Sequence, residues 1–197
     1  MNTEIYRRRF KHMTILGITG LHAAGKSYML ERIPKEFGFK VYNKKEVIAD
    51  ICEMITGDRE QWSQWYKKEF NDNPAKMTFR ILSRLQGDKV ILDAVHSHRE
   101  WQLIKQVSPE ALLLNVTTPQ LVRDTREDPG DKIKNIQRLK YWHSVYGDTF
   151  GCLLSEVDWS FNGAASLENQ RQNFAALVKF INGRQKQLIR KKGDYTL

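Results

Sequence analysis

Apolar residues fall along this chain in two alternating rhythms. The first run, Thr14-Ile15-Leu16-Gly17-Ile18-Thr19, is apolar and β-branched almost throughout, the pattern of a strand buried on both faces. Phe39–Asn43, Lys89–Asp93, Ala111–Val116 and Val157–Asn162 repeat it. Between these runs the apolar period lengthens to three or four. Ser27–Glu36 carries Met29, Leu30 and Ile33, and Pro34 and Gly38 punctuate its end. Lys45–Thr56 carries Val47, Ile48, Ile51, Cys52 and Ile55, and Glu60–Phe70 carries Trp62, Trp65, Tyr66 and Phe70. Pro74–Leu85 begins on a proline suited to a first helical turn. His98–Val107, Pro119–Arg126, Ile133–Val145 and Ser166–Asn182 read as helices, with a turn at Glu127–Asp131. Strands alternating with helices predict a three-layer α/β fold on a five-stranded parallel sheet.

Composition narrows the class. At 197 residues and 41% apolar content, one domain with a substantial core is expected, and disorder is not. No run approaches the roughly 20 apolar residues of a membrane span, and the basic start lacks the apolar centre of a secretory signal. Cys52 and Cys152 suit neither a disulfide framework nor a metal site and read as reduced, which points to the cytoplasm. The net charge of +9 suits an anionic partner. Much of the excess lies in Arg7-Arg8-Arg9 and Arg190-Lys191-Lys192. These clusters suggest a flexible basic leader over residues 1–13 and a basic tail over 186–197, around a domain spanning 14–185.

The turn after the first strand carries the chemistry. Gly20-Leu21-His22-Ala23-Ala24-Gly25-Lys26-Ser27 meets G-x-x-x-x-G-K-[ST], the P-loop pattern, at every fixed position. The glycines allow a tight turn that brings backbone N–H groups onto phosphates, and the following helix adds its positive end. Lys26 is expected to reach the β- and γ-phosphates of ATP and Ser27 to hold Mg²⁺, with Tyr28 flanking the cradle. His22 is expected over the nucleotide or facing solvent, without chemistry of its own.

Other positions suggest what is done with the phosphate. Asp93 ends an apolar strand, as a carboxylate serving the Mg²⁺ shell or accepting a hydroxyl proton should; the alternative is a strand-end cap. Ala94 follows it, where ATP-driven motors commonly place a glutamate to activate water, and this tilts the choice toward transfer to an acceptor. Arg123 and Arg126, three apart, share a helix face if that helix holds, and with Arg138 they could clamp transition-state charge. Lys44 and Lys45 follow the second strand at the sheet edge where ligands bind, to meet an acceptor phosphate or carboxylate, or simply as surface charge. Trp62, Trp65 and Tyr66 have the spacing of a packed helix face rather than of a base-stacking platform.

Together these features resemble the nucleoside and nucleotide kinases among P-loop proteins, and within them the archaeal nucleotide kinases related to dephospho-CoA kinase. The likeness runs from residue 14 to about 182 and includes Asn73–Arg80, Ile91–Trp101, Glu127-Asp128-Pro129 and Val157–Glu168. It implies Mg²⁺-dependent phosphotransfer from ATP, a helical substrate-binding insertion over 44–88 and a lid-like region over 119–145. Two departures stand out: His96 replaces the family arginine after strand three, and Ala94 replaces a glycine. His96 and Arg138, followed by Tyr141, Trp142, His143 and Tyr146, therefore point to a reshaped acceptor pocket. The leading expectation is a kinase acting on a small nucleotide or nucleoside-like acceptor. A nucleic-acid-binding module working through the basic ends, and a plain NTPase, are the alternatives.

Overall fold

The computed structural model describes residues 3–136 and 150–193. Its sheet has five parallel strands: β1 (Thr14–Thr19), β2 (Lys40–Tyr42), β3 (Lys89–Leu92), β4 (Leu112–Thr117) and β5 (Trp159–Asn162). Their order is β2-β3-β1-β4-β5. The chain steps from β1 to the far edge, returns through β3, and only then crosses to β4. The carboxyl end of β1 therefore lies at the point where the winding reverses, where open α/β sheets place their ligands.

Alternation along β1 divides the core. Ile15 faces a cluster that includes Val47, Ile48, Phe70, Met77, Trp101 and Ile104. Leu16 and Ile18 face another that includes Met29, Ile33, Phe39, Phe161, Phe174 and Leu177. The first cluster is covered by α3 (Lys44–Thr56), α4 (Trp62–Asp72), α5 (Pro74–Ser83) and α6 (His98–Val107), and the second by α2 (Lys26–Arg32) and α10 (Leu167–Gly193). Trp62 and Trp65 pack against the first cluster and Tyr66 is buried in it, so these aromatics build core.

Side-chain caps fix several helix starts. Asn43 Oδ1 accepts from the N–H groups of Lys45 and Glu46, Asn73 Oδ1 from Lys76, and Ser97 Oγ from Glu100. A bidentate pair ties α10 to the turn before β2: Arg171 donates to both oxygens of Glu36 at 2.9 and 3.0 Å. Hydrogen bonding to that guanidinium holds the Glu36 carboxyl below its ordinary pKa.

The leader departs from expectation. Thr3–Phe10 forms helix α1 instead of a flexible arm. Phe10 is buried, and Tyr6 stacks on Phe79 with ring centroids 4.8 Å apart. Arg7 and Arg9 donate to backbone carbonyls of Gln106, Ser83 and Leu85, so two arginines of the basic cluster serve docking. An apolar face made of Tyr6 and Phe10, four residues apart, was hidden beneath the arginine run.

The 44–88 stretch holds α3, α4 and α5. After β4 come α7 (Gln120–Asp124), a helix running from 129 through 136, here α8, and α9 (Phe150–Leu154). The turn expected at Glu127–Asp131 is thus already helical from 129. Among the described residues no helix is long and apolar enough to cross a membrane.

Candidate active site

The P-loop follows β1 directly and opens into a cleft of about 720 Å³. Gly20 and Gly25 both hold positive φ, 135° and 90°, as the motif requires. Ala23, between them, is also left-handed at φ 56°. Lys26 Nζ donates to the carbonyls of Gly20 (2.9 Å) and Leu21 (2.6 Å), which gathers the ammonium against the loop it follows.

Neighbouring elements hold the loop. Thr118, after β4, donates its hydroxyl to Ala24 O at 2.8 Å. Gly163, after β5, lies so close that a Cβ there would collide with Ala24 O, and a Cβ at Gly25 would stand 2.9 Å from Gly163 O. Only glycine at 163 permits that approach. On the remaining side, Asn135 of α8 bonds the backbone of His22.

The cleft brings together His22, Ala23, Ala24, Gly25, Lys26, Ser27 and Tyr28 with Asp93, Ala94 and His96 from the end of β3. Asn43 and Lys45 join from the end of β2. Arg126, Asp131, Gly163 and the start of α10 complete the lining. Leu21 packs its side chain against the core, which leaves its backbone to the loop. Tyr28 lines the cleft with its ring beneath the Arg32 guanidinium, 4.0 Å from centroid to Cζ.

Asp93 is placed by the sheet. Its N–H donates to Tyr42 O at 3.0 Å, and Val95 N–H donates to Ile18 O at 2.8 Å, so the chain beyond β3 still pairs with both neighbours. Ala94, between them, sits at φ 64°, a conformation that favours glycine.

Two expected pairs of cations come apart. Lys44 is buried and bonded to Glu100 Oε2 at 2.7 Å, with the carboxylate itself fully buried, and it does not line the cleft. Its assignment to the acceptor is corrected by this contact, as is its reading as surface charge. Lys45, one residue on, reaches the cleft and lies over the Trp62 ring at 5.6 Å. Arg123 and Arg126 do not share a helix face, because α7 ends at Asp124. Arg126 lines the cleft and donates to Gly163 O at 3.1 Å. Arg123 faces Glu127 at 3.8 Å, away from the cleft. Arg138 and the aromatics after it lie outside the described residues.

Sequence reasoning passed over Asn43, Asp131, Asn135 and Gly163. Asn43 had a signal, a capping residue just before a helical period. Gly163 had only its place after the last strand, and Asp131 and Asn135 had none.

The donor set suits a magnesium nucleotide. Among the described residues no cluster of three His, Cys, Asp or Glu side chains exists to cage a metal. Ser27 and Asp93 share the cleft, however, and two protein oxygens with the rest supplied by phosphate and water is how Mg²⁺ is commonly bound.

Solved structures were compared with this arrangement. The shikimate kinase from Bacteroides thetaiotaomicron matches with a TM-score of 0.56 at 14% identity, over 85% of this chain and 99% of that one. The fold is that of small P-loop kinases. Shikimate kinase from Acinetobacter baumannii, solved with shikimate, gives 0.53 at 14% identity over 90% and 98% of the two chains. TT1252 from Thermus thermophilus gives 0.52 at 17% over 85% and 97%. No family model matches the sequence, and no curated protein matches it significantly.

Proposed function

We propose that this chain is an ATP-dependent phosphotransferase that moves the γ-phosphoryl group to a small nucleotide or nucleoside-like acceptor. The observation that carries this reading is the composition of one cleft. A P-loop with its lysine and serine shares it with a strand-end carboxylate, Asp93, and with Lys45 and His96 from the ends of two other strands. A plain hydrolase has no need of the further side chains Lys45 and His96. The similar solved structures named shikimate kinases support a small acceptor, and the stretches Asn73–Arg80 and Ile91–Trp101 favour a nucleotide-like one.

In this reading the backbone N–H groups of the loop hold the β-phosphate, and Lys26 and Arg126 offset charge on the transferring group. Mg²⁺, when bound by Ser27 and Asp93, supplies charge neutralisation across the phosphates. Lys45 and His96 orient the acceptor, whose hydroxyl oxygen bonds to the γ-phosphorus as the bond to the β–γ bridging oxygen breaks. ADP leaves with that oxygen, and the hydroxyl proton goes to Asp93, the alternative to its place in the Mg²⁺ shell, or to solvent.

The test is a phosphotransfer screen over nucleoside monophosphates, their deoxy forms, nucleosides, dephospho-CoA and shikimate, with product detection. A phosphorylated product dependent on ATP is expected. ADP release at an equal rate with and without every acceptor would instead establish a plain NTPase.

A further inference from the structure

We infer that Asn135 is a positioning residue for the phosphate cradle, locking the P-loop in its nucleotide-binding form from the outside. The inference rests on the nucleotide-binding reading of the loop above. Asn135 is buried and is not among the residues that line the cleft. Its side chain bonds one peptide neighbourhood twice. His22 N–H donates to Asn135 Oδ1 at 2.9 Å, and Asn135 Nδ2 donates to His22 O at 3.3 Å. The orientation of the amide is settled by its third contact, because Nδ2 also donates to Glu127 Oε1 at 2.6 Å. A carboxylate oxygen only accepts, so the NH₂ group must face it and the carbonyl oxygen must face His22. Arg123, 3.8 Å from Glu127, completes a relay that runs from α7 through Glu127 and Asn135 to the loop.

The need for such a lock lies one residue further on. Ala23 is held at φ 56°, a conformation that a Cβ disfavours and that persists only where the surroundings impose it. The loop is pinned at Ala24 by Thr118 and abutted there by Gly163. Asn135 pins it at His22. Ala23 lies between the two pins. Removing one of them frees the strained residue to relax, and the N–H groups of the arc then leave the arrangement that phosphates require. Arg123 therefore serves the cradle through Glu127 rather than by touching the phosphates.

The experiment measures ATP binding by calorimetry and amide exchange of the 20–25 segment in the wild-type chain, Asn135→Ala, Glu127→Gln and Asn135→Ala/Ala23→Gly. Losing two hydrogen bonds at a strained turn is expected to weaken ATP binding about tenfold in Asn135→Ala. Exchange in the 20–25 segment should accelerate, and the acceptor KM should stay unchanged. Glu127→Gln keeps the shape but loses the carboxylate that sets the amide, and a loss of a few-fold in the same direction is expected. Ala23→Gly relieves the strain and should recover part of the binding lost in Asn135→Ala, a rescue that a merely structural role for Asn135 does not give. Wild-type affinity and exchange in Asn135→Ala, or failure of Ala23→Gly to rescue, overturns the inference. If the wild-type chain binds no nucleotide at all, the functional reading falls, while the exchange data still judge whether Asn135 holds the loop.

Discussion

The two ends of the cleft are built on opposite principles. The phosphate end is made of consecutive residues, Gly20 to Ser27, and works largely through its backbone. The other end is assembled from side chains on separate elements: Asn43 and Lys45 from the β2–α3 junction, Asp93 and His96 from the β3–α6 junction. A backbone device needs particular spacings of glycine and can accept many side chains. An assembled device needs particular side chains and places no constraint on their spacing. In the proposed function the first end therefore identifies the chemistry, and the second decides on what it acts.

If this contrast holds, damage at the phosphate end removes turnover with every acceptor alike. Lys26→Ala should lower kcat/KM by at least about a hundredfold, the scale for deleting one charge-stabilising group in a transfer site. The purified variant should still fold cooperatively, and thermal unfolding alongside kinetics separates lost chemistry from lost structure. Turnover equal to wild type in that variant would remove the P-loop from the chemistry and with it the comparison.

The same contrast explains what could be read in the sequence. The sheet, its helices and the cradle were legible because each is written in local pattern: apolar runs for strands, a three-to-four period for helices, a glycine frame for the loop. The position of Asp93 was legible because it closes an apolar run, and the structure brings it to the cleft beside the loop. The acceptor end was not, because adjacent cations look alike in a sequence and diverge in the fold. Lys44 and Lys45 occupy successive positions of the first turn of α3, about 100° apart around its axis. That rotation sends one into the core against Glu100 and the other into the cleft. Arg123 and Arg126 separate for a different reason, the early end of α7. Helix α1 was missed because three consecutive arginines masked Tyr6 and Phe10, whose packing on the core outweighs the charge around them.

The lysine pair offers the sharper test of the acceptor end. Lys44→Met leaves Glu100 buried without its partner, and breaking one side of such a pair typically costs about 3–5 kcal/mol of stability. Lys44→Met/Glu100→Leu should recover most of that loss, because no uncompensated charge remains. Lys45→Ala should leave stability within about 1 kcal/mol, the scale of an exposed cation–π contact with Trp62, yet raise the acceptor KM with little change in ATP binding. Thermal unfolding alongside kinetics separates the two. A Lys44→Met chain as stable as wild type but defective only in acceptor KM would reverse the assignment and return Lys44 to the site.

The smallest expected effect lies where the two ends meet. Ala94 follows Asp93 and is held at φ 64°. Ala94→Gly removes a left-handed penalty of about 1–2 kcal/mol, while the freer unfolded chain takes back roughly 0.4–1 kcal/mol. The net gain is up to about 1.6 kcal/mol, and each 1 kcal/mol raises Tm by roughly 2–4 °C for a chain of this size. If the alanine only tolerates a turn set by the pairing of Asp93 and Val95 with their neighbouring strands, Tm rises and kinetics stay unchanged. If its Cβ helps hold Asp93 in the cleft, Tm rises while kcat falls, because the carboxylate gains freedom at the moment it must be placed. The second result would mean that the acceptor end is positioned by backbone strain, as the cradle is at Ala23, and the distinction between the two ends would narrow to the side chains alone.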